Sequence, residues 1–449
     1  MYRALVLLLV LGLPGYAAAQ AQPRAYETIR RSTGSYLGER DPLGLPLRVH
    51  LAMQSPYAMW CAAPELFFTW AKTNCGDFLA DREAIMVCHG NPVPAAIGSY
   101  APAGAFGKLA VGLVHFDDAA AVPFQLELLQ GIITLRLLAQ QNGIDLTDAQ
   151  VDQVLAAQID AYGAACLADR DPTAQLADDP WVARLLSSQS SYTDVLERYT
   201  SVGQFRRSIE DADGQPREIL RPVGNDVIDA IAAGLADAFA GSPALAQQTR
   251  YRTREDFRAA IRDVARRTQL RQPINPGARE YLVLILRPLR DLDHDIVLSL
   301  RQQIPSAAER TMLIRRDDLP SGQRVARAAQ GAMNPAPYIL SAAAVGTDSF
   351  TVELLDPWST TLAEQEIKDP DALAHLARIW ATAAGCTHHQ GSQDQAISRR
   401  LTPELRAKIR SLSDAYLKQH ASEFERFQSN PSARADAATA KEALAAPAP

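Results

Sequence analysis

Fifteen residues in the first third of the chain, Phe124 to Leu138 (FQLELLQGIITLRLL), constrain its folding most. A helix made from them is apolar almost all the way round and has no face suited to water. The stretch is too short to cross a bilayer, and it carries Glu127 and Arg136. The expectation is therefore a core helix enclosed by protein on every side. Enclosure needs a large apolar supply, and 449 residues at 47% hydrophobic content provide it.

The rest of the pattern mixes helical and strand periods. Helical spacing covers 121–141, 147–168 (with Thr147 as N-cap), 224–240, 253–269, 370–384 and 403–428, and a shorter helix is expected near 295–303. Strand-like runs are Leu47–Met53, Tyr281–Leu286 and Thr311–Arg315. Two hairpins are predicted, one across Gln204–Arg221 around Asp213-Gly214 and one joining Tyr338–Val345 to Phe350–Leu355 around Gly346-Thr347-Asp348. The expected class is α+β and helix-rich. The tail 429–449 is low in complexity and is expected to be disordered.

The first 19 residues have the form of an export signal. Arg3 precedes the apolar run Ala4–Leu13, Pro14-Gly15 breaks it, and Ala17-Ala18-Ala19 offers a cleavage site, with Ala21 as a second one. No cysteine follows the run to carry a lipid anchor, and no second span is present, so the mature chain is expected in the periplasm or outside the cell. There its five cysteines (61, 75, 88, 166 and 386) can support two disulfides and leave one thiol over. Cys75–Cys88 with Cys166–Cys386 is one of three pairings open if Cys61 stays free. A net charge of −6 gives no basic face, so nucleic acid is not an expected partner.

One constellation points to chemistry. Gln54 precedes Trp60-Cys61-Ala62-Ala63, and far downstream a strand runs into Asp356-Pro357-Trp358. This arrangement resembles secreted bacterial papain-like cysteine peptidases. The resemblance implies a papain-like core with Cys61 as nucleophile at a helix N-terminus, Gln54 as oxyanion donor and Asp356 as the residue that orients the base. The family's histidine belongs near Tyr338, where this chain has none. Another base must then serve, and His294 is the one assigned. On this basis the chain divides into a signal (1–19), an N-terminal half of the core (24–115), a helical insertion (116–275), a C-terminal half (276–428) and the tail. The function so implied is cysteine peptidase, or a degenerate relative that binds peptide without cutting it.

The alternative is a non-catalytic exported helical protein that binds or scaffolds a peptide or protein partner. Under it Cys61 is only a buried apolar position beside Phe67, Phe68 and Trp70. No cofactor is expected: nucleotide loops, the Gly-x-Ser-x-Gly elbow and c-type haem motifs are all missing. Cys386-Thr387-His388-His389 near Asp394, and Cys88-His89, are thin metal-ligating stretches without the two spaced pairs of a zinc site, so no metal is expected either. Asp117-Asp118 fits a solvated turn or cap.

Overall fold

The computed structural model describes residues 25–36, 44–103, 108–168, 171–187, 192–210, 216–269, 278–290, 294–316, 318–355, 360–389 and 394–445. The segment expected to be an export signal, the expected turn at Asp213-Gly214 and Asp356 lie outside them. The fold is α+β and helix-rich, as expected, with a helical half and a sheet half.

After a first helix at Ala25–Tyr36, the helical half continues with α1 (Gly44–Ala52) and α2 (Pro56–Ala62). The short strands β1 (Ile85–Cys88) and β2 (Ala120–Pro123) pair with each other and lead directly into α3 (Phe124–Gln141) and α4 (Asp148–Cys166). Helix α3 is the enclosed helix the sequence demands. Of its residues only Arg136, Gln140 and Gln141 reach solvent. Thr147 caps α4 through a capping box with Gln150.

The sheet half is built on seven antiparallel strands: β3 (Ser208–Glu210), β4 (Pro216–Pro222), then α5 (Asn225–Gly241), β5 (Ile261–Gln269), β6 (Glu280–Ile285) and β7 (Ile296–Gln303). After α6 (Ser321–Ala332) come β8 (Leu340–Val345) and β9 (Asp348–Leu354), giving the spatial order β8-β9-β7-β6-β5-β4-β3. Strand β6 is apolar at nearly every position because both faces are covered. Tyr281, Val283 and Ile285 meet α5 and Phe257 on one side, and Leu282 and Leu284 meet Val195 and Tyr199 on the other. The chain returns to the helical half through α7 (Pro370–His388), α8 (Pro403–Ser429) and α9 (Pro431–Ala445).

Close approach of helices depends on two glycines. A Cβ on Gly131 of α3 would lie 2.4 Å from Gln158 Nε2 and 2.8 Å from a Trp380 ring carbon. One on Gly385 of α7 would lie 2.7 Å from both the Tyr162 carbonyl oxygen and Ala165 Cβ of α4. Trp60, Phe67, Trp70 and Tyr416 pack edge-to-face with centroids 5.1–5.6 Å apart where α8 crosses α2, except for the more parallel Phe67–Trp70 pair.

Several expectations are corrected. Residues 296–303 form a strand, because Leu298-Ser299-Leu300-Arg301 alternates with period two and both neighbouring strands accept its ladder. Leu47–Ala52 lies in helix α1 with Met53 in the turn after it, and Thr311–Arg315 follows a helical turn at Ala307–Arg310 without joining a sheet. The stretch 253–269 is half helix (Arg254–Ala260) and half strand. The boundary expected at 275/276 falls between the paired strands β5 and β6, so 116–275 is not a separate helical insertion. The tail is also ordered over 431–445. Its alanines favour helix, and Ala433 and Ala440 are small enough to be buried as α9 packs along α1.

Candidate functional site

Of the residues assigned from the peptidase resemblance, Gln54, Cys61 and His294 are described, and His294 does not lie beside Cys61. Helix α2 opens at Ser55, whose side chain caps it by accepting from the Ala58 N–H. Cys61 is the penultimate residue of that helix, about 9 Å along its axis from the cap. Only the first four N–H groups of a helix are free to hold an oxyanion, and Cys61 is not among them. The dipole at this end disfavours a thiolate. The thiol packs against Val93, Ala95 and Ala96, with Tyr57 and Glu364 as its polar neighbours. Burial, and then the Glu364 carboxylate, push it far above the ordinary thiol range. Gln54 is exposed in the bend before the helix and its N–H donates to the Leu51 carbonyl at 3.2 Å. His294 stacks on Tyr192, centroids 4.9 Å apart, beside strand β7 in the sheet half. All five cysteines carry free thiols, four of them buried and Cys61 half-buried.

Titratable groups concentrate instead between the two halves, around the segment 85–123. Pairing of Cys88 with Ala120 across β1 and β2 brings His89-Gly90 against Asp117–Ala119. Gly90, at φ 82°, lies so close that a Cβ would sit 2.2 Å from the Asp118 carbonyl oxygen. His115 holds a left-handed φ of 65°, a conformation that costs a non-glycine residue energy and needs support from its surroundings. That support is polar. The Arg301 guanidinium donates to His115 Nδ1 at 3.2 Å and to Asp117 at 3.4 Å, and Gln303 Nε2 donates to Asp117 at 2.5 Å. An arginine donor on Nδ1 requires a lone pair there. Burial and Arg301 accordingly hold the His115 imidazole well below its usual pKa, in the neutral form. Asp117 stays low despite its burial because Arg301 faces it.

Asp118 takes the other direction. It accepts the Ala307 N–H at 2.9 Å and lies 3.6 Å from Arg310, yet burial raises its carboxyl above the ordinary range. Arg310 in turn meets Glu65, whose two carboxylate oxygens both accept from Arg48 Nη2 at 2.8 Å. Arg324 joins the same layer by donating to the Asp117 carbonyl at 2.8 Å and the Ile304 carbonyl at 3.0 Å. These bonds fasten the helical half to the start of α6 and to β7.

Arg301 continues the network into the sheet. Glu280 stands directly opposite Arg267 on one side and Arg301 on the other. Arg267 donates to Glu218 through Nε and Nη2 at 2.8 Å each, and to Glu280 at 3.0 Å. Ser299 and Tyr199 hydroxyls complete Glu280 and Glu218 at 2.7 and 3.0 Å. Burial raises the Glu280 carboxyl, but the two guanidinium groups outweigh it and the net shift is downward.

The network has a second arm inside the helical half. The His89 N–H donates to Glu127 Oε1 at 2.6 Å, and His388 Nε2 lies 3.1 Å from Glu127 Oε2. Asp117 and Asp118 were expected at the surface, but they are 5% and 8% exposed. One signal for this arm was the acid set in the otherwise apolar stretch 124–135.

The chemistry available is that of a closed, mostly paired charge layer. A small apolar crevice beside it is lined by Val93, Ile97, Thr134, Leu135, Leu376 and Trp380, among others. No described helix is long and apolar enough to cross a membrane. No curated protein and no solved structure matches the chain. Residues 40–430 match the model of a family described as an uncharacterized protein conserved in bacteria (DUF2252), and the chain belongs to that family.

Proposed function

We propose that this chain is a non-catalytic exported protein that binds or scaffolds a peptide or protein partner. The observation that carries the reading is the position of Cys61 in the last turn of α2, with Tyr57 and Glu364 as polar neighbours and its thiol held protonated by burial. Nucleophilic catalysis needs a thiolate and a base beside it. Here a carboxylate occupies that neighbourhood and opposes ionisation. The charge layer around Asp117 and Asp118 is correspondingly read as structural, because its carboxylates are engaged by arginine, glutamine and backbone donors.

One observation favours the peptidase reading. Cys61 alone among the five thiols is half-buried, while the other four are buried. Brief alkylation of the mature protein at pH 6 and pH 8, mapped by peptide mass spectrometry, separates the two. The binding-protein reading expects slow labelling of Cys61 at both values and no peptide hydrolysis that Cys61→Ala abolishes. Fast labelling of Cys61 at pH 6 would overturn it.

A further inference from the structure

We propose that Cys88, Glu127 and His388 form a binding site for a zinc-class divalent cation, closed inside the helical half. The three side chains come from β1, α3 and α7, and their donor atoms lie within 4.8 Å of one another. Tetrahedral zinc with ordinary Zn–N, Zn–O and Zn–S lengths sets ligand atoms about 3.4–3.6 Å apart, so only a small contraction is needed.

Two features mark the cluster as more than a buried ion pair. Glu127 Oε2 and His388 Nε2 are both buried and face each other at 3.1 Å, yet neither makes a well-aligned hydrogen bond, and the Cys88 thiol is the other group beside the carboxylate. Buried polar atoms left this way are costly, and a shared cation would satisfy both. The outward-facing atoms of the same two side chains are held. Tyr162 Oη lies 2.8 Å from His388 Nδ1, and the His89 N–H holds Glu127 Oε1 at 2.6 Å. This is the supporting shell that metal ligands need, orienting Nε2 and Oε2 toward the centre.

Charge and donor type agree. A divalent cation with one carboxylate and one thiolate sums to zero, which an apolar interior tolerates far better than a net charge. Sulfur and imidazole nitrogen favour zinc over magnesium or calcium. Binding replaces the present Cys88 S–H contact to the Val122 carbonyl at 3.4 Å with a metal–sulfur bond, and the thiol proton leaves to solvent. All three residues are at most 1% exposed, so loading accompanies folding.

The test is to unfold the mature protein in denaturant with chelator, remove the chelator, and refold it with Zn2+, with Co2+ or with no metal. The proposal expects about one zinc retained per chain after desalting, and a cobalt form with a thiolate-to-cobalt charge-transfer band in the near ultraviolet. Cys88→Ser removes that band, and Tyr162→Phe weakens metal affinity about 10–100-fold while keeping the native circular dichroism. Should Cys88→Ser fail to fold, the wild-type cobalt spectrum and Tyr162→Phe decide. A natively refolded protein that retains no zinc overturns the proposal. So does cobalt bound without the thiolate band, or a band that survives Cys88→Ser, since either places the metal elsewhere.

Discussion

Two buried ionic clusters sit on either side of Arg301, and they differ in how completely they are satisfied. In the sheet, Arg267 is shared by Glu218 and Glu280, and both carboxylates are finished by hydroxyls of Tyr199 and Ser299. In the helical half, Glu127 and His388 are as deeply buried but meet at 3.1 Å without a well-aligned hydrogen bond, beside the Cys88 thiol. The first arrangement is self-contained. The second keeps spare bonding capacity beside a thiol. Buried charge alone therefore says little about function, and leftover bonding capacity says more.

The sharpest way to break the comparison is to open the self-contained cluster. Arg267→Met leaves Glu218 buried without its cation and Glu280 with Arg301 alone, and urea unfolding should show a loss of about 3–5 kcal/mol. A loss under about 1 kcal/mol would mean that water reaches these carboxylates and that the sheet cluster is not sealed.

Acid should act on histidines buried in the neutral form. His420 of α8 is pulled down to about 4 by burial, although its bond to the Pro56 carbonyl at 2.9 Å works the other way. The unfolded chain takes up that proton near the ordinary histidine value and the folded chain does not. The contribution is thus complete above about pH 6.5 and is lost as pH falls toward 4, at up to about 1.4 kcal/mol per pH unit. Thermal melts of His420→Leu between pH 7 and 4.5 should be flatter with pH than those of the wild type. Equal slopes would show that His420 does not set the acid limit.

The smallest expected effect concerns packing at the metal-site end of α7. Gly385→Ala places a methyl against Tyr162 and Ala165, and should cost about 1–3 kcal/mol in denaturant unfolding. The same change should perturb the position of Tyr162, and with it the support of His388. A neutral result would mean that α4 and α7 separate without penalty.

How much of this was legible in the sequence depends on where the information lies. The enclosed helix over 124–138 and the hairpin of β8 and β9 follow from local patterns, because a continuous apolar run and a two-residue turn leave few options. Strand β7 was missed although its alternation was visible, since Ile296-Val297-Leu298 alone suits either period. The tail helix was missed because low complexity hid a run of good helix formers that packs on α1. The candidate site was hardest. Cys88 and His388 each stood out beside a neighbouring histidine, but Glu127 joins them only through the packing of α3 between β1 and α7, and sequence distance carries no trace of that. Conversely, Gln54 and Cys61 looked close in sequence, and the helix between them sets them apart.

The most direct test of the contrast between the two clusters is thermal melting of protein refolded with and without zinc, in wild type and in Arg267→Met. The account predicts that zinc raises the melting temperature by about 2 °C or more in both, because the cation binds only the folded helical half. Identical melting temperatures with and without zinc in the wild type would contradict it.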